Sequence, residues 1–286
     1  MDRTSAPYGA EWSATYRRGP EAELRGWLEL ASRCADAADA IALRHFRRDL
    51  EIATKPDRSY VTQADRAIEA TVRELIRDAY PGHGLIGEEH GEEAAGASVR
   101  WHIDPIDGTH NYLRGIPIFA TLLGVERDGE LQVGLISAPA LGERWFAWRG
   151  GGAWAERTLE RAAGRAAPRR IRVSRVGDMG DAQLLHGSEN LARTDLEPRL
   201  RALLGRAWRV RGFGEFWSYA LVAEGAAEAM IEDGVHTWDL AAPLVLIEEA
   251  GGRQTDLAGA RRIDTGGAIA TNGLLHDEIL RALGGD

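Results

Sequence analysis

Trp101-His102-Ile103-Asp104-Pro105-Ile106-Asp107-Gly108-Thr109 constrains this chain more than any other stretch. An apolar lead-in able to hold a strand end in a core runs into two carboxylates three residues apart. Pro105 fixes φ and lacks a backbone donor, so a turn is expected there, with both acids at the strand's carboxyl end. Gly108 permits close backbone approach, and Thr109 can cap a helix whose free N–H groups point at the same place. Acids that bind hard cations therefore sit beside a helix N-terminus that binds anions, which suits a phosphate ester held on Mg²⁺. A lone Asp-Gly pair often does no more than join a strand to a helix. The acids found elsewhere in the chain decide against that plainer reading.

With 286 residues, the chain can bury a large core as two domains or one large layered unit. Its 44% hydrophobic and 28% charged residues are those of a globular protein, not a disordered or fibrous one. The net charge of −9 disfavours nucleic acid as a partner, because such binding needs a basic surface. A single cysteine, Cys34, excludes an intramolecular disulfide and a cysteine-based zinc site, and reads as a small buried apolar residue. The eight histidines form no HExxH pair, so zinc hydrolysis is disfavoured. No apolar signal core and no run of 18 apolar residues occurs, so a cytoplasmic protein without a membrane partner is expected.

Residues 1–20 are polar, with Gly and Pro at intervals, and read as a loose lead-in. From Glu21 to about Arg48, Leu24, Trp27, Leu28, Ala31, Cys34, Ala38 and Ile41 recur at helical spacing. Glu51–Lys55 reads as a short strand closed by Pro56-Asp57, and Thr62 as the N-cap of a second helix running to about Tyr80. Strands are expected at Leu85–Gly87, Val99–Ile103, Phe119–Glu126, Leu131–Ala138 and Arg144–Trp148, as an antiparallel meander with a hairpin at Asp128-Gly129. The Ala/Arg/Glu-rich stretch 155–168 marks a boundary between an α+β half (21–154) and an α/β half (169–286). In the second half, strands are expected near Ile171, Leu184, Trp208, Ala229 and Ala268, and helices near Leu196, Phe216, Asp239 and Leu274.

Further acids stand where chemistry could use them: Glu88 in Gly87-Glu88-Glu89 after an apolar strand, Asp239 in Trp238-Asp239-Leu240-Ala241-Ala242 at a helix start, and Asp65 in Val61-Thr62-x-x-Asp65. Each alone has a plain explanation, a solvated loop or a favourable helix-dipole partner. Together, Gly87-Glu88-Glu89, Asp104-Pro105-Ile106-Asp107-Gly108-Thr109 and Trp238-Asp239-x-Ala241-Ala242 with Glu249-Ala250-Gly251-Gly252 resemble the signatures of the inositol monophosphatase family, in order, across residues 24–283.

The resemblance implies a layered αβαβα sandwich, α+β in its first half and α/β in its second, acting as a Mg²⁺-dependent, lithium-sensitive phosphomonoesterase and commonly dimeric. By position it implies Glu88, Asp104, Asp107 and Asp239 as side-chain metal ligands and Ile106 as a ligand through its carbonyl. It also implies that Thr109 and Glu88 orient the attacking water and that Asp65 supports the threonine. The residues themselves agree: Asp107 and the Gly108 and Thr109 amides can bind phosphate, and no protein nucleophile is needed. Four ligand carboxylates and a nearly dianionic ester would be balanced by three divalent cations, so two to three Mg²⁺ are expected, with Mn²⁺ able to substitute.

Substrate choice points to the second half. Arg211-Gly212-Phe213-Gly214-Glu215-Phe216-Trp217-Ser218-Tyr219 offers aromatic faces and an acid for a flat, cationic leaving group, unless those rings simply pack the core. Gly212-x-Gly214 lacks the third glycine of a dinucleotide site, and Gly150-Gly151-Gly152 lacks the Lys-Ser/Thr of a P-loop. This segment, with Thr54-Lys55-Pro56-Asp57, Ala64–Glu69 and Ala270–His276, resembles the histidinol-phosphate phosphatase branch. That resemblance implies histidinol phosphate as substrate, late in histidine synthesis, with Glu215, Glu232 and Asp239 contacting the leaving alcohol. The same mechanism on inositol monophosphate, fructose bisphosphate or a 3′-phosphoadenosine nucleotide stays open, as does a regulatory protein that has lost catalysis.

Overall fold

The computed structural model describes residues 20–54, 60–164, 167–187 and 197–284. The lead-in before Pro20 and the Lys55-Pro56-Asp57 segment lie outside the described residues. α1 (Pro20–His45) follows the apolar spacing of its sequence, β1 (Ile52–Thr54) and β2 (Tyr60–Thr62) form a short antiparallel pair, and α2 (Gln63–Ala79) begins at the expected cap. There the Thr62 side chain accepts from the Ala64 N–H while Asp65 Oδ2 accepts from the Thr62 N–H at 2.8 Å.

Next comes an eight-stranded sheet built from β3 (Gly84–Gly87), β4 (Gly91–Glu93), β5 (Val99–Asp107), β6 (Ala120–Arg127), β7 (Glu130–Ala138), β8 (Glu143–Trp148), β9 (Gly152–Arg157) and β10 (Arg169–Ile171). The short helices α3 (Thr109–Leu113) and α4 (Thr158–Ala162) interrupt it. The strand order is β10-β9-β8-β7-β6-β5-β3-β4. Three expectations need correction. The sheet is not wholly antiparallel, since β3 runs parallel to β5. β5 does not stop at Ile103 but continues to Asp107. The strand at Ile171 pairs with β9 and completes this sheet rather than starting the second half.

A second sheet, ordered β12-β11-β13-β15-β14, comprises β11 (Gln183–His186), β12 (Arg209–Arg211), β13 (Ala229–Asp233), β14 (Arg253–Thr255) and β15 (Gly267–Thr271). Its helices are α5 (Glu197–Leu204), α6 (Glu215–Ala223), α7 (Thr237–Glu249) and α8 (His276–Leu283).

Three clusters of buried side chains define the layers. Trp27, Ile68, Trp101 and Ile103 join α1 and α2 to one face of the large sheet. Leu122, Ile136, Tyr219, Val245 and Ala270 join its other face, through α6 and α7, to the second sheet. Leu184, Ile231, Leu200 and Ile279 bind that sheet to α5 and α8. The result is a five-layered αβαβα sandwich. Because α7 lies between two sheets, Leu240 to Ile247 are all buried and the helix is apolar all round.

His276 shows how tightly the outer layer is wired. It is fully buried, with Thr255 Oγ1 and Thr271 Oγ1 each 3.0 Å from one of its ring nitrogens. Burial, helped by Arg253, lowers its pKa to about 4. An unfolded histidine titrates near 6.5, so below that pH the unfolded chain binds the extra proton first. The stability supplied by the neutral ring is therefore full above about pH 6.5 and declines as the pH falls toward 4. Thermal melts of the wild type and His276→Gln across this range should converge on acidification; parallel curves would count against the assignment.

Candidate active site

Backbone irregularity in β5 creates the site. Asp104 pairs with Leu122 of β6 and Asp107 with Ala120, so β5 carries one extra residue in a bulge. Pro105 sits in that bulge, where its missing N–H costs no ladder bond, and its carbonyl accepts from Thr121 Oγ1 at 2.8 Å. In an unbroken strand, residues three apart face opposite ways; the bulge lets both acids face one cavity. Gly108 then adopts φ 82°, and a side chain there would press on the Ile118 carbonyl at 2.9 Å. Gly108, not Thr109, is the N-cap of α3. Thr109 is the first helical residue, and its hydroxyl donates to the Ile106 carbonyl at 2.9 Å.

Asp239 arrives from the start of α7, where its Oδ2 accepts from the His236 N–H at 2.7 Å. Asp107 Oδ2 accepts from the Phe216 N–H at 2.6 Å, at the N-terminus of α6. Asp104, Asp107 and Asp239 offer oxygens that all lie within 4.8 Å of one another. Glu88 lines the same cavity but stands outside this tight group.

Burial raises Asp104 well above the carboxylate range, reinforced by Glu88, Asp107 and Asp239. Asp107 is raised likewise, by burial and then by Asp239 and Glu215. Such a cluster of buried like charges calls for a cation. Asp104 Oδ1 is buried without a hydrogen-bond partner among the described residues, and the donor set is all oxygen. The residues therefore fit a hard divalent ion.

Asp65 lies behind the cavity wall, fully buried, with Oδ1 3.5 Å from the Thr109 hydroxyl and Oδ2 held by the Thr62 hydroxyl at 2.5 Å. Desolvation lifts it to about 6. Glu215 and Glu232 also line the cavity. Glu215 has φ 46°, an unusual value for a side-chain-bearing residue; burial raises its pKa to about 7, and Asn111 Nδ2 reaches it at 3.5 Å. Glu232 accepts from the Tyr219 hydroxyl at 3.0 Å and is pushed up to about 8, by burial first and then by Glu215 and Asp239.

Of the aromatic residues expected from the 211–219 segment, Phe216 and Tyr219 line this cavity, while Phe213 and Trp217 do not. Phe213 and Trp217 pack on the central core with ring centroids 4.8 Å apart, and Phe216 is 1% exposed within it. Aromatic residues outside that segment, Tyr60, His110, His236 and Trp238, line the cavity as well.

Sequence reasoning also gave no role to the buried pair Glu69–Arg73 on α2, with Arg73 Nε 2.7 Å from Glu69 Oε1. Glu69 further accepts from the backbone N–H of Glu89 at 2.6 Å and of His90 at 3.2 Å, and so holds the loop that carries Glu88. The available signal was an i,i+4 charge pair on the same helix face as Ile68 and Val72.

A sequence profile of the inositol monophosphatase family matches residues 23–284. The histidinol-phosphatase of Mycobacterium tuberculosis is 45% identical over 90% of this chain and 97% of its own. That of Streptomyces coelicolor is 42% identical over 88% and 95%. Among solved structures, the extragenic suppressor protein suhB of Bartonella henselae superposes with a TM-score of 0.82 at 30% identity, covering 91% of this chain and 98% of that one. By its sequence and by its five-layered fold, this chain belongs to the inositol monophosphatase family.

Proposed function

We propose that this protein is a Mg²⁺-dependent phosphomonoesterase that hydrolyses histidinol phosphate to histidinol and phosphate, within histidine biosynthesis. The convergence of Asp104, Asp107 and Asp239 to within 4.8 Å carries the hydrolase reading. The acidic wall of Glu215 and Glu232, together with the histidinol-phosphatase relatives, supports the substrate. On this reading Glu88, Asp104, Asp107 and Asp239 hold two to three cations through carboxylates, and Ile106 assists through its carbonyl. Mn²⁺ substitutes and lithium inhibits. The working form is a cytoplasmic homodimer.

Bound there, the cations supply positive charge to the phosphoryl oxygens and acidify the attacking water. The chain's own groups do the rest. The Thr109 hydroxyl hydrogen goes to the Ile106 carbonyl, so its lone pairs face outward to accept from the water. Asp65, clamped by Thr62, lies 3.5 Å behind that hydroxyl and backs its position, and Glu88 takes up the water's second hydrogen bond. The Gly108 and Thr109 amides donate to phosphoryl oxygens, where charge builds in the transition state. Tyr219 holds Glu232 toward the leaving alcohol, and Glu215 and Glu232 accept hydrogen bonds from its ammonium.

The test is phosphate release with Mg²⁺ from histidinol phosphate, inositol 1-phosphate, fructose 1,6-bisphosphate and 3′-phosphoadenosine 5′-phosphate. A kcat/KM at least roughly tenfold higher for histidinol phosphate, about 1.4 kcal/mol of discrimination, is expected. Preference for another ester would discard the substrate and keep the mechanism. Silence on all four would favour a regulatory role. Glu215→Gln removes a charge-assisted hydrogen bond and should raise KM for histidinol phosphate roughly tenfold more than for inositol 1-phosphate. Equal effects on the two esters would remove Glu215 from recognition.

A further inference from the structure

Two aromatic pairs, neither with a part in the hydrolytic steps above, line the cavity. Tyr60 of β2 meets His110 of α3 edge-on, with ring centroids 5.5 Å apart and planes at 73°. His236 lies flat on Trp238 at 4.8 Å and 11°. All four line the cavity of about 200 Å³ that holds Asp104, Asp107 and Asp239. The pairs reach it from different parts of the chain, one from the region between α1 and β6, the other from the start of α7.

Their surroundings differ. The His236 N–H is committed to Asp239, so the second pair is built into the turn that places a cation-binding acid. Tyr60 sits at the end of a three-residue strand and keeps 39% of its surface exposed, although it lines an acidic cavity. An aromatic face at such a position gains most from a flat ring that covers it, through stacking and removal of apolar surface from water. The carboxylates of Glu232 and Asp233, on the same cavity, suit an amine. Of the aromatics in the 211–219 segment, Phe213 and Trp217 do not line the cavity, and Phe216 and Tyr219, which do, are each 1% exposed and offer little free face.

We infer that Tyr60 and His110 form the specificity edge of the leaving-group pocket, selecting phosphate monoesters whose alcohol carries both a heteroaromatic ring and a protonated amine. This rests on the substrate reading above and adds the groups that recognise the ring, as distinct from the charge. Tyr60 stacks on the ring, and His110, edge-on to Tyr60, holds it in place.

The experiment compares histidinol phosphate with 2-aminoethyl phosphate, which keeps the phosphate and the ammonium but has no ring. The ratio of their kcat/KM values is measured with the full chain and Mg²⁺ in the wild type, Tyr60→Leu, Tyr60→Phe and the double variant Tyr60→Leu/His110→Ala. Because it is a ratio, a partly unfolded preparation does not alter it. Tyr60→Leu should lower the ratio at least fivefold and the double variant further, while Tyr60→Phe, which keeps the ring, should stay within twofold of wild type. A high wild-type ratio that survives in both Tyr60→Leu and the double variant would overturn the edge assignment while leaving the substrate reading intact. A wild-type ratio near one would overturn the substrate reading, and the edge with it.

Discussion

Asp107→Asn is expected to lower kcat/KM by roughly 10²-fold or more while leaving the fold in place, the scale of losing one preorganised electrostatic group in a reaction centre. The amide keeps the carboxylate's shape, and its oxygen can still accept from the Phe216 N–H that now reaches Asp107 at 2.6 Å. It removes one of three acids packed within 4.8 Å of one another. Burial, Asp239 and Glu215 all disfavour charge at this position, so the cation-free variant should melt no lower than wild type. Added Mg²⁺ should raise the wild-type melting temperature by mass action and the variant's much less. A variant with near-normal turnover and an unchanged response to Mg²⁺ would refute the cation site.

Gly134→Ala should cost about 1–3 kcal/mol, the usual range for overpacking, and impair activity from well outside the cavity. Gly134 of β7 and Gly124 of β6 are paired across the sheet, and α7 rests on both. A Cβ on Gly134 would overlap the Ala242 carbonyl oxygen and come within 3.0 Å of Ala242 Cα. One on Gly124 would lie 2.5 Å from Ala241 Cβ. These neighbours are backbone or Cβ atoms in a buried helix and cannot swing aside, so the helix itself must shift. Asp239 lies on that helix, and a displacement near 1 Å can cost about 10²-fold in rate. Melting temperature should fall by several degrees and the Mg²⁺ concentration for half-maximal activity should rise. If both stay at wild-type values, the contact between α7 and the sheet is not what positions Asp239.

How much of this was open to a reader of the sequence varied with the range of the interaction. The Thr62 N-cap, the Asp128-Gly129 hairpin and the helix opening before Asp239 are each settled within four residues, and all occur where expected. Burial by periodicity was equally readable, as with Trp27, Ala31, Cys34 and Ala38 on the inward face of α1. The bulge in β5 was not. Pro105 announces an irregularity, but whether the strand ends or continues depends on β6 offering Ala120 as a partner for Asp107. Likewise β10 joins the first sheet only because β9, itself unforeseen, presents a free edge to it.

By itself the sequence determined the chemistry this protein can carry: which acids exist, which of them stand at strand ends and helix starts, and the order that marks the family. Those features follow from local sterics and hydrogen bonding, which act between near neighbours. The tertiary structure alone decided which side chains share one cavity. It packed Phe213 and Trp217 against the core and brought Tyr60 and His110 to the cavity. It joined Asp107 to the start of α6, and it seated α7 on a glycine pair so that Asp239 reaches Asp104. Such contacts depend on which face of each element meets the next layer, a choice made by close packing over the whole molecule and not by any segment of it.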